Sequence, residues 1–94
     1  MEGSYKAAKG LIKIKANVQS GCLSEVQISG DFFMYPEDRL WVLEHALKGT
    51  VASREKIMAK IKAFYEYEKV LTPGVVPEDF AEAILKTIVD AIIP

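Results

Sequence analysis

Few side chains in this sequence are suited to covalent or acid–base chemistry. Among 94 residues there is one histidine, His45, and one cysteine, Cys22. A general base needs a partner that orients it. His45 stands two positions after Leu43 in a helical stretch, on that helix's polar side, so it reads as a surface histidine. Cys22 falls at the end of a hairpin with no histidine or basic cluster beside it in sequence to lower its thiol pKa. It reads as a buried, inert packing group pointing to the apolar face. A lone cysteine also excludes an internal disulfide framework and a multi-cysteine zinc site within one chain, and it fits a reducing cytoplasm. Ser4, Ser20, Ser24, Ser29 and Ser53 lack a nucleophile-elbow setting, and neither a Gly-x-Gly-x-x-Gly segment nor a phosphate-loop lysine occurs. Glu66 and Glu68, two apart, diverge on a helix. Asp31 with Glu37 and Asp38 would make an oxygen-rich group, but a turn acid followed by acids at a helix start accounts for all three. These residues predict no metal site and no self-sufficient active centre.

The most pointed segment carries no reactive group. Gly30-Asp31-Phe32-Phe33-Met34-Tyr35-Pro36 packs three aromatics and a methionine between two elements. If the strand before it runs on, Phe32 and Met34 follow Ile28 into the core while Phe33 and Tyr35 face outward. The segment then reads as a hydrophobic corner sealing the sheet, as a docking surface, or as both on alternate residues.

The elements that hold this segment follow from periodicity. Ile12, Ile14, Ala16 and Val18 alternate with Lys13, Lys15 and Asn17, the period-2 pattern of a strand with one buried side. Leu23–Ser29 alternates likewise through Val26 and Ile28. A three-residue loop, Gln19–Ser20–Gly21, is expected to pair Val18 with Cys22, Ile14 with Val26 and Ile12 with Ile28, with Gly21 left-handed. A tight two-residue turn at Lys9–Gly10 brings Tyr5 and Ala7 onto the face of Ile12 and Ile14. Beyond Gly30, Pro36-Glu37-Asp38 signals a helix start, and Leu40, Leu43, Ala46 and Leu47 form its stripe up to Gly49. Ser53 caps a second helix with Ile57, Ile61 and Phe64 on one face. Pro77-Glu78-Asp79 opens a third, lined by Phe80, Ala83, Ile84 and Ala91, with Leu85, Ile88 and Ile92 beside them. Its last turn, with Ile88, Val89, Ile92 and Ile93, is expected to pack on the chain's own core.

The fold class is therefore α+β: a three-stranded antiparallel sheet within about 4–30, then helices at about 36–48, 53–68 and 77–92 packed on one face. Residues 1–94 make a single domain. The other sheet face, with Lys6, Lys13, Lys15, Asn17, Glu25 and Gln27, is expected to meet water. Half of the residues are hydrophobic and the formal net charge is −1, an ordinary globular profile without the clustered basic surface of a nucleic-acid partner. The most apolar stretch, Phe80–Ile93, is broken by Glu82, Lys86 and Asp90, so it reads as an amphipathic helix and not a membrane span.

Lys9-Gly10-Leu11-Ile12-Lys13-Ile14, then Ile28-Ser29-Gly30-Asp31-Phe32-Phe33, then Pro36-Glu37-Asp38 and Leu47-Lys48-Gly49, resemble the C-terminal accessory domain of lipoate–protein ligase A. The likeness runs from Tyr5 to Ile92. It implies a fold similar to that of SufE and IscU. It also implies a stand-alone accessory subunit, not catalytic by itself, that forms a heterodimer with a separate catalytic ligase subunit. ATP, Mg²⁺ and lipoate belong to that complex and none is bound by this chain alone; lipoyl carrier domains are indirect partners. The Arg-Arg-x-Ser-Gly-Gly-Gly segment of the ligase's catalytic domain is absent from this sequence, so no catalytic residue carries over. What carries over as signature and interface candidates is Lys9, Gly10, Gly30, Asp31, Phe32 and Phe33, with Tyr35 added from its outward register. Lys13 and Lys15 either neutralise phosphate charge as the adenylate forms or only keep the sheet face wet. The rival readings are a SufE-like sulfur carrier using Cys22 and a small stand-alone regulatory or ligand-binding module.

Overall fold

The computed structural model describes residues 1–92; Ile93, expected on the core-packed last turn, and Pro94 lie outside the described residues. Strands β1 (Glu2–Ala7), β2 (Gly10–Gln19) and β3 (Cys22–Asp31) form an antiparallel meander in the order β1-β2-β3. Helices α1 (Arg39–Leu47), α2 (Arg54–Glu68) and α3 (Pro77–Thr87) follow, with a 3₁₀ turn at Val89–Ala91. This is the expected α+β architecture. Helix α3 lies across β1 and β2, α1 packs against β3, and α2 packs against both helices.

The strand faces sort as their alternation requires. Ile12, Ile14, Ala16, Val26 and Ile28 are buried, whereas Lys13, Lys15, Asn17, Glu25 and Gln27 are exposed. The hairpin register differs from expectation. Ser20 and Gly21 alone make the β2–β3 turn, at φ +52° and +78°, the sign pattern of a type I′ turn. Val18 then faces Leu23, and Ile14 faces Ile28 rather than Val26. A two-residue turn by itself would mix the faces. The register shifts between Asn17 and Val18, leaving Ser24 without a counterpart, and this β-bulge restores apolar against apolar further along. Leu23 consequently takes the core position expected for Cys22, which is only half buried. The first turn also moves by one residue, to Ala8–Lys9, so Ala7 faces Gly10 and Tyr5 faces Ile12; the expected faces survive because the parity is unchanged.

Helix α1 begins at Arg39, three residues later than expected. Tyr35 is tied by its backbone to Leu71, and the Pro36-Glu37-Asp38 segment turns the chain before the helix: Arg39 N–H donates to Pro36 O and Leu40 N–H to Glu37 O. Asp38 makes no side-chain cap; it pairs with Arg39 at 3.1 Å, and Arg39 reaches Glu68 at 2.9 Å, joining the start of α1 to the end of α2. Ser53 caps α2 by accepting from Lys56 N–H, and Lys69, left-handed at φ +53°, closes it. At α3, Asp79 reaches back to accept the Val76 N–H at 2.8 Å. Phe80, Ala81, Ala83, Ile84 and Leu85 are all buried, a wider face than a surface helix shows, because α3 lies between the sheet and α2. Ile88 is fully buried and Ile92 packs against the core, while Val89 is exposed.

Candidate functional site

The signature residues meet at one end of the domain, where the strands' chain-reversal at Ala8–Lys9 approaches the exit of β3. Leu11 pairs with Asp31 and Ile12 with Gly30. A Cβ on Gly10 would sit 2.7 Å from the Asp31 carbonyl oxygen and 3.1 Å from Phe32 Cβ. Gly30 has φ +135°, and a Cβ there would overlap the Leu11 carbonyl oxygen. Both glycines are therefore required by close backbone approach, and their role is to build the corner.

Phe32 and Phe33 divide as the alternation predicts. Phe32 turns inward and meets Phe80 edge-on, with ring centroids 5.3 Å apart. Met34 is buried beside it. Phe33 is 63% exposed and stacks almost parallel on Tyr35, at 6.2 Å and 5°. Tyr35 is itself 49% exposed. Its backbone N–H donates to Leu71 O, and Leu71 N–H donates to Tyr35 O, both at 2.9 Å. Leu71 is 68% exposed. Phe33, Tyr35 and Leu71 thus form an apolar surface made by two segments distant in sequence.

The loop between α2 and α3 is the part of this corner that sequence reasoning missed. It contacts the first turn as well, for Lys9 N–H donates to Gly74 O at 3.2 Å and the Lys9 stem lies against Gly74. The loop is shaped from within. Tyr65 O–H donates to Thr72 Oγ1, which donates to Val75 O, each at 2.8 Å. Burial pushes the Tyr65 phenol up, with Asp79 and Glu78 adding to the rise against the lowering effect of the Thr72 hydrogen bond. The missed signal was Leu71, an apolar residue in a Pro-Gly loop with no periodic partner.

Lys13 and Lys15 are not part of the corner. They project from the open sheet face, Lys13 between Ser4 and Ser29, and Lys15 between Glu2 and Gln27, over a shallow concavity of about 630 Å³. Asp31 is exposed one step along the same face. Among the described residues, His, Cys, Asp and Glu side chains form no group of three that could hold a metal. Among the described residues, no helix is long and apolar enough to cross a membrane.

Residues 1–84 match the family described as the bacterial lipoate protein ligase C-terminus. The chain belongs to that family. Within it, the chain is 46% identical over 81 residues to "Lipoate-protein ligase A subunit 2" of Thermoplasma acidophilum, covering 86% of this chain and 83% of that protein. It also superposes, with a TM-score of 0.82 and 43% identity, on a chain from a solved archaeal lipoylation system. That system comprises a bi-partite lipoate protein ligase and its E2 lipoyl domain from the same organism, and the likeness covers 89% of this chain and 92% of that one. In this lipoate–protein ligase domain, backbone proximity accounts for Gly10 and Gly30, and outward register for the exposure of Phe33 and Tyr35.

Proposed function

We propose that this chain is the accessory subunit of a two-chain lipoate–protein ligase, working in the cytoplasm. It docks on a separate catalytic subunit through the Phe33–Tyr35–Leu71 surface and supports ATP-dependent formation of lipoyl-adenylate there. The lipoyl group then passes to a lysine of a carrier domain. ATP and lipoate are the substrates and Mg²⁺ the accompanying metal ion, all held by the catalytic chain. The support this domain gives is positional: closing over the site, excluding water and fixing the acyl carboxylate against ATP.

The observation that carries this reading is the stacked, solvent-facing Phe33–Tyr35 pair that follows the end of β3. Aromatic side chains held rigidly on a surface are typical anchors of protein interfaces. The 46% identity to a protein named as a ligase subunit supports the two-chain arrangement. The deciding experiment is pyrophosphate release from ATP and lipoate by the catalytic subunit, with and without this chain. Release that depends on this chain supports the reading, and equal release in its absence defeats it.

A further inference from the structure

The outer face of α1 and α2 carries two adjoining depressions of about 510 Å³ each, which share Lys60 and Ala63. Together they make one groove along α2. Its one end is basic, with Lys48, Lys56 and Lys60, and its other end is acidic, with Glu66 and Glu68. Glu68 is held by Arg39, whereas among the described residues Lys48, Lys56, Lys60 and Glu66 join no ion pair. Lys62, one turn before Glu66, reaches Glu78 instead. Bulk is distributed as unevenly as charge. Tyr67, 87% exposed, stands at the acidic end. Ala59 and Gly49 leave a hollow at the basic end, where a Cβ on Gly49 would meet nothing within 4 Å.

This order works against a helix standing alone. The dipole favours acids in the first turn and bases in the last. Glu55 obeys that rule, but Lys56 beside it breaks it, and so does Glu66 in a last turn that holds no base. Lys56 and Lys60 are also four residues apart, a like-charge spacing that weakens a helix. The same order is favourable to a copy of α2 running the other way. Lys60 and Glu66 lie three residues either side of Ala63, and Ala59 and Tyr67 lie four either side. Reversal about Ala63 therefore sets Lys60 against Glu66 and the small Ala59 against the large Tyr67. A surface that holds both halves of its own complement meets the condition for a two-fold interface, where residue i meets j and j meets i.

We infer that this face receives a second copy of the chain, with the two α2 helices antiparallel and crossing at Ala63. Ala63 allows the axes to approach to about 8 Å, the close end of helix spacing. Each Tyr67 fills the hollow beside the other copy's Ala59, and each Lys60 pairs with the other copy's Glu66. Fifteen helical residues span about 22 Å, so the face is small and the dimer is expected at micromolar rather than nanomolar affinity. Phe33, Tyr35 and Leu71 do not line the groove, which leaves their corner to the catalytic subunit. The inference is independent of the ligase reading; where both hold, the assembly contains two copies of each chain.

The test is sedimentation equilibrium of the full chain from about 5 µM to about 1 mM. The mass is expected to rise from 10.5 kDa towards twice that value, and to rise less at high salt. Lys60→Glu alone and Glu66→Lys alone are each expected to weaken pairing at least about tenfold, because like charges then face each other twice. An equimolar mixture of the two variants is expected to regain it, as is the chain carrying both substitutions. That recovery is the deciding result, since neither misfolding nor a change of net charge would be rescued by mixing. A wild-type chain still monomeric at about 1 mM overturns the inference. So does pairing that survives both single reversals, or that mixing fails to restore. Should the wild-type chain be monomeric and the single reversals weaken binding to the catalytic subunit, the face belongs to that partner and the inference falls.

Discussion

Gly30 lies so close to the Leu11 carbonyl that no side chain fits between the two strands at that point. With φ at +135°, Gly30 would be strained by a Cβ even in open space. Gly30→Ala is therefore expected to destabilise the domain by at least about 2 kcal/mol, read as a lowered denaturation midpoint. Gly10→Ala, pressed against Asp31 and Phe32, is expected to act in the same direction. Wild-type midpoints in both variants would remove the packing explanation of the signature.

Phe33 and Leu71 are exposed, so replacing them tests docking without breaking the core. Phe33→Ser with Leu71→Ser is expected to leave the melting temperature nearly unchanged and to weaken binding to the catalytic subunit by at least about tenfold. Calorimetric titration of the two chains would check it. Binding at wild-type strength would move the interface elsewhere on the domain.

Lys13 and Lys15 stand on the open sheet face, away from the apolar corner. Lys13→Ala with Lys15→Ala is expected to keep pyrophosphate release within about twofold of wild type, the behaviour of solubilising lysines on a wet face. A loss of tenfold or more, with subunit binding intact, would instead assign them to phosphate charge.

Tyr65 supplies a pH dependence of definite sign. Its folded-state pKa is raised by burial, so the folded protein resists ionising a phenol that the unfolded chain ionises freely. Its contribution is fully present below the ordinary tyrosine pKa of about 10 and is lost as pH rises through the folded-state value. Stability measured from neutral to strongly alkaline pH should fall through that window in the wild type and less steeply in Tyr65→Phe. Identical slopes would contradict the assignment.

Glu44 accepts the Ile28 N–H at 2.7 Å, which blocks one donor on the free edge of β3. Glu44→Ala is expected to cost about 1–2 kcal/mol, and to make the isolated domain more prone to associate through that edge, visible by light scattering. Monodisperse behaviour at high concentration would show that the rest of α1 covers the edge unaided.

How far the sequence disclosed this structure depends on whether the information was local. Ile12, Ile14 and Ala16 announced their face because strand geometry allows only two, and Phe33 and Tyr35 followed from the same count. Ser53 and Asp79 were readable because capping is settled within four residues. The hairpin register was not. Parity excluded a two-residue turn only for a regular ladder, and the unpaired Ser24 restored the faces without any compositional mark. The start of α1 was missed for a related reason, since the tie between Tyr35 and Leu71 joins segments far apart in sequence. Half of the apolar corner was hidden likewise: Leu71 becomes part of it only through that tie.

The reciprocal pair of hydrogen bonds between Tyr35 and Leu71 also bears on kinetics. Two loops bonded in both directions cannot fluctuate independently, so the three exposed side chains they carry move as one tile. A partner meeting such a tile has little left to order, and the entropy normally lost in freezing loops at an interface has already been surrendered during folding. Severing the tie would then shorten the lifetime of the complex far more than it slowed its formation.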